Sequence, residues 1–415
     1  MKTAWMIAAP TSGSGKTTIA RGLMALYTKK GFRVQPFKCG PDYIDTKFHA
    51  AVCGRPSVNL DTFMATPEHV RELFAHYGAE ADLCIVEGMM GLFDGYDRDK
   101  GSSAEIAETL GIPVVLVVDA KSAAYSMAPL LSGFIHFKES VDIVGVIFNK
   151  VGSERHYQML QQVCQDVGIT CFGYLPKNAA LEQGSRYLGL DFSQQAESEE
   201  LTRLLEDHVE WERLLELGAG KGIAPPVFSK RELSPEHVLV ARNAESFSFL
   251  YQEVIDGFAQ VSFFDPEREV PNFEGVDLLY LPGGYPEKHL DALVENVACR
   301  QTIKTFAERG GRVQAECGGM MYLCEKIVTD EGEYPMCGVL PYTISARQTD
   351  RKLSLGYRQF VLDGQTYRGH EFHYTQFLGA QPASVTQVYN AKGEPVPTPV
   401  FRYQNVIASY THLYG

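Results

Sequence analysis

Thr3-Ala4-Trp5-Met6-Ile7-Ala8-Ala9-Pro10-Thr11-Ser12-Gly13-Ser14-Gly15-Lys16-Thr17-Thr18 passes from an apolar run, through a glycine-rich turn, into a segment able to start a helix. Strand, glycine turn and helix in that order make a phosphate loop, where backbone N–H groups at a helix N-terminus cradle phosphate oxygens. In the full pattern, G-x-x-x-x-G-K-[ST], the first glycine falls on Pro10, so one element is missing. The remainder is intact. Gly13, Ser14, Gly15, Lys16, Thr17 and Thr18 are the candidate nucleotide-binding residues: the glycines supply the turn, Lys16 would reach the terminal phosphates and Thr17 would hold magnesium. A plain glycine-rich turn before an amphipathic helix is the alternative. The preceding strand and the following helix favour nucleotide binding.

Further apolar runs occupy residues 34–38, 83–87, 114–119 and 143–149, with helical patterns between them at 17–30 and 66–77. Strands buried on both faces read as continuous apolar runs and helices make the crossovers, so the expected fold is α/β with a doubly wound parallel sheet. Polar residues sit where these strands end: the phosphate loop, Lys38, Glu87, Asp119 and Asn149. Ligands of open α/β sheets bind at that edge. Asp42 and Asp45 follow Lys38, while Glu87 and Asp94 bracket Gly88-Met89-Met90-Gly91-Leu92-Phe93. Magnesium takes hard oxygen ligands, so Thr17, Asp45 and Glu87 form the candidate metal set. Each acid alone reads as a loop cap or a solvated charge, and Asp42 and Asp94 keep that alternative. Glu87, which closes a buried strand, is the hardest to explain that way. Asn149-Lys150 matches a base-reading motif over two residues only.

From about residue 191 the chain turns charged, then rich in glycine and proline at 218–226. We expect a first domain at 1–190, a helical excursion and linker at 191–235, and a second α/β domain at 236–415, whose strands begin at 237–241 and continue at 261–264, 277–281 and 312–316. In that second domain Ala315-Glu316-Cys317-Gly318-Gly319 runs from a strand through glycines into a helix. Such a bend holds a nucleophile out of the chain, and the helix N-terminus favours its thiolate. Leu281-Pro282-Gly283-Gly284-Tyr285-Pro286 also ends a strand in glycines, so the N–H groups of Gly284 and Gly318 are the candidate oxyanion hole. His412, near the C-terminus, is the candidate base. Cys39, Cys84 and Cys164 read as small buried hydrophobes. His370 and His373 are spaced for opposite faces of a strand, which favours a structural or substrate-lining role over a metal. One site suits phosphate and the other a carbonyl, the pairing of an enzyme that makes ammonia and fixes it with ATP.

A chain of 415 residues exceeds one ordinary core, which supports two domains. The net charge of −13 argues against nucleic acid as a partner. No apolar run approaches the roughly 20 residues of a membrane span, and the short apolar start reads as a buried strand rather than a signal peptide. Nine cysteines without regular spacing point to reduced thiols and a cytoplasmic setting.

The phosphate loop, Lys38-Cys39-Gly40-Pro41-Asp42-Tyr43-Ile44-Asp45, Glu87-Gly88-Met89-Met90-Gly91-Leu92-Phe93-Asp94-Gly95, the Gly283-Gly284 run, the Cys317 bend, Arg368-Gly369-His370-Glu371-Phe372 and Ser409-Tyr410-Thr411-His412 occur in that order along the chain. Together they resemble the cobyrinic acid a,c-diamide synthase family. The resemblance implies an amide-forming P-loop synthetase domain similar to dethiobiotin synthetase and a class I-like glutamine amidotransferase domain. It implies glutamine and a tetrapyrrole polycarboxylate as substrates, ATP as co-substrate and Mg2+ as cofactor. Asp42, Asp45, Glu87 and Asp94 would serve metal binding and carboxylate activation, with Cys317 as nucleophile and His412 as its activator. Two departures from the wider class stand out: Ala315 replaces a usual glycine, and Tyr414 stands where a triad glutamate would follow the histidine. What orients His412 is left open, as are oligomeric state and nucleotide preference. Ammonia passing between two sites leads us to expect domains packed together. Hydrogenobyrinic acid and nickel-sirohydrochlorin are alternative substrates. A free-ammonia ligase and a partition-type regulatory ATPase are more distant readings, and the ATPase leaves the Cys317 bend unexplained.

Overall fold

Successive strands of the N-terminal unit are joined by segments that carry the chain back, so its sheet is parallel throughout. The computed structural model describes residues 3–178, 195–217, 233–379 and 383–414, and the chain divides into units Met1–Ser229 and Lys230–Gly415. In the first unit β1 (Thr3–Ala8), α1 (Lys16–Lys29), β2 (Val34–Cys39), α2 (Asp45–Cys53), β3 (Val58–Leu60), α3 (Pro67–Gly78), β4 (Leu83–Glu87), α4 (Ser103–Leu110), β5 (Val114–Asp119), α5 (Met127–Phe137), β6 (Ile143–Val151), α6 (Glu154–Val167) and β7 (Thr170–Pro176) alternate along the chain. The sheet order is β3-β2-β4-β1-β5-β6-β7. Trp5 and Ile7 of β1 share a core with Ile19, Leu23 and Tyr27 of α1. In register, Ile7 and Lys38 both lie beside Glu87. Backbone pairing alone therefore brings the phosphate loop, Lys38 and Glu87 to one edge of the sheet.

β3 and β7 are additions to the sequence reading. β3 has three residues, too few to show a period. β7 is an edge strand whose first two residues are only partly buried, so it offers no continuous apolar run. The expected separate excursion at 191–235 is resolved differently. Its helical part, α7 (Gln195–His208), packs on α1 within the first unit, where Leu201 and Leu205 join the core. The approach is close: a Cβ on Gly22 would lie 2.3 Å from Leu205 and 2.8 Å from Leu201. The glycine- and proline-rich stretch at 218–226 lies outside the described residues.

The second unit is built on β8 (Ser234–Ala241), β9 (Phe258–Phe264), β10 (Leu278–Leu281) and β11 (Val313–Glu316), the last followed by the short helix α8 (Gly318–Leu323). Later come the hairpin strands β12 (Ser354–Leu362) and β13 (Gln365–His373), then β14 (Val400–Tyr403), β15 (Val406–Ser409) and β16 (His412–Leu413). The central sheet has the order β14-β15-β11-β10-β8-β9, and all of it except β14 is parallel. β12, β13 and β16 belong to an antiparallel sheet. Among the described residues no helix is long and apolar enough to cross a membrane.

Candidate active sites

In the N-terminal unit α1 starts directly on Gly15, whose φ of +90° is a left-handed conformation suited to glycine. A side chain there would also strike Asn149, whose amide Nδ2 donates to Ser14 O at 2.9 Å. Asn149 thus braces the back of the phosphate loop, and its neighbour Lys150 pairs with Asp119 at 2.6 Å. Lys16 Nζ donates to Met90 O at 3.1 Å. Burial, with Lys38 nearby, lowers its pKa.

Thr17 Oγ1 donates to Glu87 Oε1 at 2.6 Å and lies 3.4 Å from Asp45 Oδ2. Lys38 Nζ sits among the acids, 2.5 Å from Asp45 Oδ2, 2.8 Å from Glu87 Oε1 and 3.8 Å from Asp42 Oδ2. The other Glu87 oxygen meets His49 Nε2 at 2.7 Å, and His49 Nδ1 lies 3.1 Å from Ser57 Oγ. Burial would raise the Glu87 pKa, but Lys38 and His49 outweigh it and hold the group well below the usual carboxylate range. Burial and the Glu87 charge push Asp45 up to about 6 against the pull of Lys38. Thr17, Asp45 and Glu87 therefore converge as the sequence leads one to expect. Asp42 stands at the rim, its Oδ1 accepting the N–H groups of Ile44 and Asp45. Asp94 braces its own loop by accepting the Gly91 N–H at 2.9 Å.

Two members of this cluster escaped sequence reasoning. Lys38 was noticed as a strand-end residue but not placed among the acids. His49 lies four residues after Asp45 on α2, but its partner is Glu87 on β4, which the spacing does not reveal. No group of three His, Cys, Asp or Glu suited to a metal occurs among the described residues. Two carboxylates and a hydroxyl still fit magnesium, which keeps much of its shell for water and phosphate oxygens.

In the second unit Cys317 bends the chain between β11 and α8 with φ +45° and ψ −107°, strained for a non-glycine residue. Its N–H donates to Ser409 O at 2.8 Å, tying the bend to β15. Its buried thiol faces Phe372 O at 3.9 Å, and the Gly318 N–H is directed at the sulfur. The two glycine elements come together here. A Cβ on Gly318 would be 3.0 Å from both N and O of Gly284. The His412 ring lies flush against Gly283, where a Cβ would stand 2.0 Å from Cε1. Phe249 packs on His412, with ring centroids 5.8 Å apart, and also lines the cavity at Cys317. That cavity is about 20 Å³, room for a single water. Burial pushes the Cys317 thiol up, and the carboxylates of Glu287, Glu371 and Glu316 add to this. Burial, then the charges of His370 and His373, draw His412 down to about 3. A neutral imidazole and a protonated thiol result, the state in which a base can take the proton.

His412 is oriented by its backbone. It pairs with His370 across β13 and β16. Glu316, beneath the bend, accepts from Tyr280 Oη at 2.8 Å, Gln314 Nε2 at 2.7 Å and the Leu413 N–H. Burial pushes Glu316 up to about 7. Tyr414 is buried against Tyr251, and the carboxylate whose charge acts on His412 is Glu371. A second buried network surrounds His373, which lines the Cys317 cavity. Its Nε2 is 2.7 Å from Glu371 Oε1, its Nδ1 is 2.8 Å from Thr375 O, and its ring stacks on Tyr410 at 3.6 Å. Glu371 Oε2 accepts from Arg358 Nε and Thr398 Oγ1, each at 2.5 Å.

Two predictions follow from this packing. Gly283→Ala must displace His412, and is expected to cost about 1–3 kcal/mol in denaturant unfolding. Burial alone would raise Glu371, but His373 and Arg358 bring it from 4.5 to about 2. Its stabilising contribution is therefore present above the ordinary carboxylate range and lost as pH falls toward 2. Glu371→Gln should destabilise by on the order of 3 kcal/mol at neutral pH. The gap between the two thermal midpoints should narrow as the pH is lowered from 6 to 3, and a constant gap would contradict the ionic network.

A profile of the CobQ/CobB/MinD/ParA nucleotide binding domain matches residues 5–190, and one of the CobB/CobQ-like glutamine amidotransferase domain matches residues 253–414. The chain is 39% identical to the cobyrinate a,c-diamide synthase of Caldanaerobacter subterraneus subsp. tengcongensis, over 99% of this chain and 94% of that protein. It is 37% identical to the cobyrinate a,c-diamide synthase of Listeria monocytogenes, over 99% and 95%. It is equally 37% identical to the hydrogenobyrinate a,c-diamide synthase of Mycobacterium tuberculosis, over 98% and 94%.

Proposed function

The chain belongs to the a,c-diamide synthase family, and from that premise we propose that it converts the a and c carboxylates of cobyrinic acid, or of hydrogenobyrinic acid, into amides in cobalamin biosynthesis. Glutamine is the nitrogen donor and ATP the activating co-substrate. One observation carries the reading: a cysteine bend with its glycines and histidine shares a chain with a phosphate loop facing an acidic cluster.

In the amidotransferase unit, Cys317 Sγ attacks the carboxamide carbon of glutamine as its proton passes to His412. The developing oxyanion is met by the N–H groups of Gly284 and Gly318. His412 returns the proton to the departing nitrogen, ammonia leaves, and water hydrolyses the thioester to glutamate. The neutral state of His412 suits it to the first step. In the synthetase unit, Lys16 and the loop N–H groups hold the ATP phosphates, and Lys38 offsets charge where a substrate carboxylate must approach them. A carboxylate oxygen attacks the γ-phosphorus and ADP leaves. Ammonia then attacks the acyl carbon, expelling phosphate and leaving an amide. Magnesium held by Thr17, Asp45 and Glu87 would neutralise charge on the β and γ phosphates. Asp42 stands close enough to assist carboxylate binding.

The test is mass spectrometry of the corrinoid after incubation with magnesium-ATP, glutamine and either tetrapyrrole. Two successive losses of about one mass unit, with ADP formed, are expected. Cys317→Ser should abolish the glutamine-supported reaction, and ammonium salt should restore it. No mass change with either tetrapyrrole would overturn the substrate. Cys317→Ser without effect would overturn the nitrogen-donor chemistry.

A further inference from the structure

Glu287 ends the run Leu281-Pro282-Gly283-Gly284-Tyr285-Pro286-Glu287 and lines the same cavity as Cys317. After burial, its carboxylate is the charge that most raises the thiol. Among the described residues it has no ion pair and no hydrogen bond from another side chain, and only its own backbone N–H serves it. The neighbouring basic side chains make their closest contacts elsewhere. Lys288 lies over the Tyr285 ring at 4.2 Å, Arg351 over the Tyr374 ring at 5.1 Å, and His289 stands between Glu245 at 3.0 Å and Glu267 at 3.3 Å. Glu287 is only partly exposed, and desolvation pushes its pKa up against the pull of Lys288, Arg351 and His289. A cation entering the cavity would relieve it.

Given glutamine as the nitrogen donor, the reading on which this step rests, we propose that Glu287 is the receptor for the α-ammonium group of glutamine. The amide end must reach Cys317 and the oxyanion glycines. The α-ammonium is the only cationic group the substrate carries, and Glu287 is the uncommitted anion that shares the cavity with the sulfur. Binding would then neutralise the charge that opposes thiolate formation, so the nucleophile is released by its own substrate. Free ammonia or a simple primary amide lacks that group and gains nothing from Glu287.

The experiment compares hydrolysis of L-glutamine with that of glutaramate, the same chain without the α-amino group. Wild type is expected to prefer L-glutamine by about tenfold or more in kcat/KM, the worth of a charge-assisted contact. In Glu287→Gln the ratio should fall toward one, chiefly through KM for L-glutamine, and Glu287→Asp should recover part of it. Thermal midpoints of both variants report folding. A preference that survives Glu287→Gln, or an equal loss on both compounds, overturns the assignment while leaving the glutaminase intact. Wild type that hydrolyses neither compound overturns the glutamine reading and this assignment with it.

Discussion

Glu87 has no exposed surface, and its two oxygens are divided among Thr17, Lys38 and His49. A carboxylate so placed is tolerable only if every partner arrives in register, and the N-terminal unit is arranged to deliver them. β4 lies between β1 and β2, so the strand carrying Glu87 is flanked by the strand leading to the phosphate loop and the strand carrying Lys38. α2 then turns Asp45 and His49 onto the same point from above. Breaking one partner of such a buried ionic group typically costs about 3–5 kcal/mol, because the remaining charge is stranded. The geometry that would hold phosphate is thus also what makes the sheet edge a single cooperative structure.

The second unit solves a comparable problem by absence of side chains. Gly283 gives way to the His412 ring and Gly318 to the Gly284 backbone, so a cysteine, a histidine and two sets of N–H groups fit where ordinary residues would collide. Glu316 accepts the N–H of Leu413, the residue next to His412. Buried Glu316 thereby links the residue before the nucleophile to the residue after the base. Tyr414 can accordingly be an aromatic packing residue without loss of that support.

Much of this was legible in the chain. Strands at 34–38, 83–87 and 114–119 announce themselves because a parallel sheet covered on both faces demands continuous apolar residues. Thr17, Asp45, Glu87, Cys317, Gly284 and Gly318 were readable because glycine turns and strand-end acids have few other uses. β3 was too short to register, and β7 is an edge strand with a mixed face. Lys38 and His49 were obscured for another reason. Lysine and histidine are common on strands and helices, and only the tertiary register shows that both address one carboxylate. Glu287 and Glu371 depend likewise on contacts between distant segments, which spacing does not record. Asp94 shows the converse, since a suggestive loop acid serves its own turn.

The small cavity at Cys317 has a bearing on durability. Oxidation and alkylation of cysteine follow thiolate character and exposure, and this sulfur has little of either, since it is buried and burial pushes its thiol up. At rest it is as inert as the structural thiols around it. Attack by peroxide or an electrophile should accordingly be slow until a bound substrate changes the charge around the sulfur.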